Sequence, residues 1–309
     1  MDFSAILPTF VVTLREGVEA TLVVGIVLAC LKKAEQTKLY TWAYAGVGAG
    51  IAASVLVGLV LWGTIQGLAT SEANYAPVIQ EFLEAGFSLV AIAMLSWMLI
   101  WMTQQAKSVK SEVEESITAA LKASQAAGWG VFTLIFIAVL REGFETVLFI
   151  VAKFQEEWVL PSLGAVAGLV GAVIIGVLLF QLGVKINLRL FFQVMGIFLL
   201  AIVGGLVVGM LKDINTGVSM LAQLNPQYAR LCASESASCI LGPQIWDASG
   251  ILPDKEFPGI ILKSLFGYRE TLYLVQGIAY VVFMAIVGTL YFQSLSSVST
   301  TTKKEPFAT

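Results

Sequence analysis

Apolar residues run along this chain in blocks too long to be the buried stripe of a water-soluble helix. Seven such blocks, near 5–31, 40–68, 81–102, 129–152, 161–184, 190–211 and 271–293, are separated by polar stretches. A hydrocarbon core takes about 20 apolar residues per crossing helix, so each block is expected to span a membrane. The first is expected to be a span and not a cleaved leader. No Lys or Arg precedes its apolar stretch, Arg15, Glu16 and Glu19 interrupt it, and Lys32 and Lys33 follow it. The pattern predicts an all-α integral membrane protein with seven transmembrane helices.

Basic residues set the expected orientation. Lys32, Lys33 and Lys38 lie in the first connection, Lys107, Lys110 and Lys122 in the third, Lys185 and Arg189 in the fifth, and Lys303 and Lys304 in the tail. The second connection has none and the fourth only Lys153. Positive residues stay on the cytoplasmic side. The expectation is a multi-pass protein of the cytoplasmic (inner) membrane, with its N-terminus outside and its C-terminus in the cytoplasm.

A short sequence occurs twice. Leu14-Arg15-Glu16-Gly17-Val18-Glu19 lies in the first block and Leu140-Arg141-Glu142-Gly143-Phe144-Glu145 in the fourth. With three spans between their starting points, the two motif helices run in opposite directions. Spans 1–3 and 4–6 therefore read as an inverted-topology repeat, followed by a seventh helix. The expected organisation is a first three-helix repeat over 1–102, a connector over 103–128, and a second repeat over 129–211. An extracytoplasmic loop follows over 212–270, then the seventh helix and a cytoplasmic tail over 271–309. Val109, Val113, Ile117 and Leu121, four apart, make the connector a short amphipathic helix at the cytoplasmic surface. Small residues at Gly46/Gly50, Gly164/Gly168 and Gly205/Gly209 read as helix-packing devices with no ligand implied.

Composition narrows the chemistry. Of 309 residues 58% are hydrophobic, and the net charge of -3 offers no basic patch for a nucleic acid. There is no histidine, which excludes Ser-His-Asp triads, HExxH zinc sites and di-iron centres built on Glu-x-x-His pairs. Three cysteines cannot make a four-thiolate site. Cys232 and Cys239, in the loop outside, are expected to form a disulfide, and Cys30 to be a packing residue. Any metal chemistry must use oxygen, and no enzyme activity is indicated.

Charges in mid-membrane are the informative feature. Glu16 and Glu19 are three apart and share a helix face, and Arg15 reaches Glu19 one turn on; Arg141, Glu142 and Glu145 repeat this. If the motif helices cross at Gly17 and Gly143, four carboxylates and two guanidiniums converge. One central charge costs roughly 2.5–3.5 kcal/mol, so six unpaired ones would cost on the order of 15–20 kcal/mol. Full ionisation leaves a deficit of two positive charges, which a hard cation on oxygen ligands would relieve. The alternative is that the Arg-Glu pairs only staple the bundle. Glu81 and Glu84, sharing a face at the outer end of span 3, are an entry station for a cation or simply acids at a helix end. Glu72, Asp247, Asp254 and Glu256 outside would gather cations or be ordinary solvated residues.

These motifs resemble those of the oxidase-dependent iron permeases, the fungal high-affinity permeases and bacterial EfeU-type transporters. That family carries an REGxE-type motif in spans 1 and 4 of seven. Trp97-Met98 with Trp101-Met102, and Ile245-Trp246-Asp247-Ala248-Ser249-Gly250 continuing to Phe266-Gly267-Tyr268-Arg269, are similar to its bacterial branch. The resemblance implies high-affinity iron import, with Fe3+ or Fe2+ as transported substrate, no tightly bound cofactor, and motif glutamates binding the ion in transit. It also implies a periplasmic or extracellular oxidase or iron-delivery partner. Lead and manganese are the alternative cargoes. Oligomeric state is not encoded in any of these features.

Overall fold

The computed structural model describes residues 6–69, 75–105, 127–153, 159–184, 187–232 and 238–301. The chain is mostly helical because lipid offers the backbone no hydrogen-bond partners, and a helix satisfies its own. In chain order the helices are α1 (Ile6–Lys33), α2 (Tyr40–Ala69), α3 (Ala76–Gln105), α4 (Ala127–Lys153), α5 (Val159–Phe180), α6 (Leu188–Leu224), α7 (Gly259–Phe266) and α8 (Leu274–Thr301). Strands β1 (Gln244–Asp247) and β2 (Thr271–Tyr273) pair antiparallel. The expected connector helix and Glu72 lie outside the described residues, and α3 continues to Gln105.

Five helices among the described residues are long and apolar enough to cross a membrane: α2, α3, α5, α6 and α8. α1 and α4 have the length, 28 and 27 residues, but each carries an Arg and two Glu in its middle. On length and composition alone they are not counted with the other five.

The chain divides into two compact units. One holds α1, α2 to Ile65, α4, α5 and the first residues of α6. The other holds α3, α6 from Gly196, α7, α8 and the strands. Each unit draws on both halves of the chain.

In the unit of α1, α2, α4 and α5, helix approach is set by small residues four apart. On α5 these are Gly164, Gly168, Ala172 and Gly176, which lie against α1. A methyl group on Gly168 would sit 2.8 Å from the Phe10 carbonyl oxygen and 2.9 Å from the Thr13 Cβ. Ala172 lies against Gly17, and Gly176 against Thr21. On α2 the series is Gly46, Gly50, Ser54 and Gly58, which lies against α4. A methyl on Gly50 would sit 3.2 Å from the Phe136 carbonyl oxygen and 2.9 Å from Val139, Ser54 lies against Gly143, and Gly58 against Val147. The α5–α1 contacts thus recur position by position in α2–α4. Val27 and Leu31 of α1 then join Ala43 of α2 and Val131, Ile135 and Val139 of α4 in one core. At the starts of α2 and α4, Trp42 and Trp129 meet with ring centroids 5.2 Å apart, and Phe132 lies 5.4 Å from Trp129. Such aromatic belts mark membrane–water boundaries.

The other unit is built on α6, whose residues 199–208 are buried. α8 packs along it: Tyr291 is buried against Gly196, Tyr280 lies against Gly204, and Gln276 donates from Nε2 to the Val208 carbonyl at 3.1 Å. α3 packs on α8, and Gly217 of α6 accommodates Glu81 and Phe82 of α3. α6 continues helical to Leu224, beyond its apolar stretch. The described residues of the segment after it are held by several cross-links. Cys232 and Cys239 are disulfide-bonded, Asn215 Oδ1 accepts from the Ile240 N–H at 3.0 Å, and Tyr268 donates to the Leu252 carbonyl at 2.9 Å. Gly267 caps α7 with φ +67 and lies against Gly205 of α6, so both its backbone angle and its neighbour demand glycine.

The glycine contacts make a prediction. Gly50→Leu and Gly168→Leu should each destabilise the detergent-solubilised protein by about 2–3 kcal/mol through overpacking. Gly48, with nothing within 4 Å, should tolerate leucine within about 0.5 kcal/mol. Thermal unfolding of the three variants checks this ordering.

Candidate metal site

Helical spacing dictates the first half of the site. Arg15, Glu16 and Glu19 lie within one turn of α1, so the guanidinium reaches both acids of its own helix. Arg15 Nη1 donates to Glu16 Oε1 at 2.7 Å, and Arg15 Nη2 lies 3.3 Å from Glu19 Oε1. Arg15 and Glu16 are 2% and 1% exposed, so this ion pair is shut away from solvent. On α4 the same spacing produces a looser arrangement. Arg141 Nε donates to Glu145 Oε1 at 3.4 Å and lies 4.0 Å from Glu142 Oε1, and the Arg141 side chain is 49% exposed.

Across the helices, Glu16, Glu19 and Glu142 each offer a carboxylate oxygen, and these three atoms lie within 4.8 Å of one another. One oxygen of each acid is buried without a hydrogen-bond partner: Glu16 Oε2, Glu19 Oε1 and Glu142 Oε2. Glu19 Oε1 is close to Arg15 but not aligned for a hydrogen bond. A buried oxygen with no donor is costly, about 1–3 kcal/mol and more when charged. The same three acids that converge thus each keep an oxygen without a donor, an arrangement of hard oxygen donors that a hard cation would satisfy.

The sequence expectation had four acids converging where the motif helices cross at their glycines. The geometry differs in two respects. Gly17 and Gly143 do not face each other: a methyl on Gly17 would lie 2.6 Å from the Ala172 Cβ of α5, and one on Gly143 would collide with Ser54 of α2. The glycines admit α5 and α2 against the motif helices. Glu145 stands outside the group of three, held by Arg141 and 9% exposed. Glu81 and Glu84 belong to α3 in the other unit, where Gln80 donates to Glu84 Oε1 at 3.1 Å. One buried oxygen was missed from the sequence: Thr13 Oγ1, one turn before Glu16, also has no hydrogen-bond partner. Its spacing from Glu16 was the signal available.

Outside the apolar helices, Asp247 Oδ1 accepts from the Ser249 hydroxyl at 2.6 Å and from its N–H at 3.0 Å. These bonds hold the exposed Asp247 carboxyl below its ordinary range. Asp254 pairs with Lys263 at 3.6 Å.

The two arginines should respond differently to truncation. Arg15→Met leaves Glu16 and Glu19 buried without their cation and should destabilise the protein by about 3–5 kcal/mol. Arg141→Met, at a half-exposed position, should cost about 1 kcal/mol or less. Equal melting temperatures for the two variants would contradict the asymmetry.

Comparison with known proteins places the site in context. An uncharacterised protein of Synechocystis sp. is 49% identical over 298 residues, covering 96% of both chains. The ferrous iron permease EfeU of Escherichia coli O6:K15:H31 is 29% identical over 262 residues, 84% of this chain and 86% of its own. That of Yersinia pseudotuberculosis serotype I is 28% identical over 291 residues, 94% of this chain and 93% of its own. No solved structure matches. The model of the iron permease FTR1 family matches residues 6–299, which takes in both motif helices and every described element but the last two residues of α8. The chain belongs to the iron permease FTR1 family.

Proposed function

We propose that this protein imports iron across the cytoplasmic membrane, and that the ion is bound in transit by Glu16, Glu19 and Glu142. The observation that carries this reading is the trio of buried, unpartnered carboxylate oxygens contributed by two helices. A staple of ion pairs would leave no such surplus, since each acid would then be matched by a donor. Relatives that bear the name ferrous iron permease favour Fe2+ as cargo.

In this proposal α1 and α4 cross the membrane with the five apolar helices, giving seven spans with the N-terminus outside. Their charges are tolerated because they meet each other inside the bundle. Spans 1–3 and 4–6 form an inverted repeat. Its support is the recurrence of the α5–α1 contacts in α2–α4, with Gly168, Ala172 and Gly176 matched by Gly50, Ser54 and Gly58. Transporters of this construction bind their substrate near the midplane, at the repeat interface.

With no ion present, Arg15 neutralises Glu16 and Glu19, and Arg141 holds Glu145. An arriving cation takes the free oxygens of Glu16, Glu19 and Glu142. Its charge competes with that of Arg15 for the shared Glu19 oxygen, which loosens the ion pair that holds the empty site together. Glu145 is a reserve acid, reached only when Arg141 releases it. Glu81 and Glu84 serve as an entry station, and an extracytoplasmic partner delivers the iron.

Radioactive iron uptake in a host lacking its own iron importers tests the proposal. Wild type should accumulate iron, Glu16→Gln and Glu142→Gln should lose at least about tenfold in uptake, equivalent to about 1.4 kcal/mol of binding, and Glu145→Gln should lose less. Uptake unchanged by Glu16→Gln would end the three-acid reading.

A further inference from the structure

Many of the described hydroxyl groups in the helices follow one habit. Thr21, Ser54, Thr146, Thr216, Ser264 and Ser294 each donate to a backbone carbonyl one turn back. That bond is the ordinary resting place of a hydroxyl inside an apolar helix bundle. Thr13 departs from it, as does Ser96 of α3 in the other unit, and of the two only Thr13 lies one turn from the carboxylates. It is 8% exposed, and its Oγ1 is buried with no hydrogen-bond partner. An unpaired buried hydroxyl opposes stability, so packing alone gives no reason for it.

The recurring helix contacts show what packing requires at this position. Thr13 lies against Gly168 of α5 beside the Phe10 carbonyl, and Val139 lies against Gly50 of α2 beside the Phe136 carbonyl. Valine and threonine have the same shape. The half of the unit that fills this place with Val139 packs equally closely without a hydroxyl. What distinguishes Thr13 is therefore its oxygen. It stands three residues before Glu16, on the same face of α1, one turn from the acids that converge and that each keep an unpartnered oxygen.

We propose that the Thr13 hydroxyl is a fourth oxygen donor of the cation site, meeting the ion on the side of Glu16 toward the α1 N-terminus. This rests on the reading of Glu16, Glu19 and Glu142 as the transit site. A neutral hydroxyl adds a hard ligand without adding charge. It replaces a water as the ion leaves its hydration shell, one turn before the carboxylates. Val139 occupies the matching turn of α4, which runs the opposite way, and offers no such donor. The two approaches to the carboxylates thus differ: one lined by a hydroxyl, the other by an isopropyl group.

Equilibrium binding of radioactive Fe2+ to the purified full-length protein under anoxic conditions, together with thermal melting in the absence of metal, tests the assignment. Thr13→Val should melt at or above the wild-type temperature without metal. Its iron dissociation constant should rise about tenfold, while Thr13→Ser should stay within about twofold of wild type. Wild-type affinity in Thr13→Val would overturn the proposal, and so would equal weakening by Val and Ser, which would implicate shape instead of the hydroxyl. Glu16→Gln separates this from the reading beneath it. If wild type binds no iron, or Glu16→Gln binds as tightly as wild type, the carboxylate site fails and Thr13 with it. If Glu16→Gln loses iron and Thr13→Val does not, the hydroxyl assignment alone fails.

Discussion

The unit of α1, α2, α4 and α5 answers to one constraint: six ionisable groups sit in mid-helix among apolar helices, and all but the half-exposed Arg141 are largely removed from solvent. Each charge must find a partner among the helices. Arg15 finds two, at 2.7 and 3.3 Å, and is sealed in with them. Arg141 holds Glu145 at 3.4 Å and Glu142 more loosely at 4.0 Å, and Glu142 also comes close to the acids of α1. The protein resolves four negative charges against two positive ones by concentrating the imbalance in one place. In the proposed function, that concentration of acids is what lets the protein hold a cation without histidine or cysteine ligands.

Close helix approach makes this concentration geometrically feasible. The small-residue series on α5 and α2 bring those helices to backbone distance from α1 and α4, at the level of the motif glycines. Packing a helix that tightly behind each motif fixes the rotation of the motif helix about its axis, and so the direction in which its glutamates point. Helices meeting through large side chains would fix this rotation less tightly. The carboxylates would then not hold within 4.8 Å of one another. The glycines act as positioning elements for the site, although none touches the cargo.

Much of this was legible in the sequence. Long apolar blocks give helices because lipid enforces them, and spacings of three and four residues place charges on one face whatever the surroundings. The doubled Arg-Glu-Gly-x-Glu stretch named all the acids of the candidate site. What it could not fix was which acids meet, because Glu142 and Glu145 have the same spacing as Glu16 and Glu19. Helix rotation, set by contacts from α2 and α5, separates Glu142 from Glu145. The partners of Gly17 and Gly143 were misjudged for the same reason: a glycine announces close approach but not by which helix. In the segment after Leu224 the sequence indicated the Cys232–Cys239 disulfide, but not the hydrogen bonds from Ile240 to Asn215 and from Tyr268 to Leu252, which join residues 25 and 16 positions apart. Thr13 was passed over because the oxygen that sets it apart is conspicuous only once its missing hydrogen bond is seen.

The central claim is that one iron ion sits among three carboxylates drawn from two helices. Anomalous diffraction at the iron edge, on crystals of the iron-loaded protein, tests it most directly. The account predicts one strong peak per chain, bounded by Glu16, Glu19 and Glu142, that disappears in a Glu16→Gln/Glu142→Gln variant. A peak lying elsewhere, or one that survives the double substitution, would contradict it.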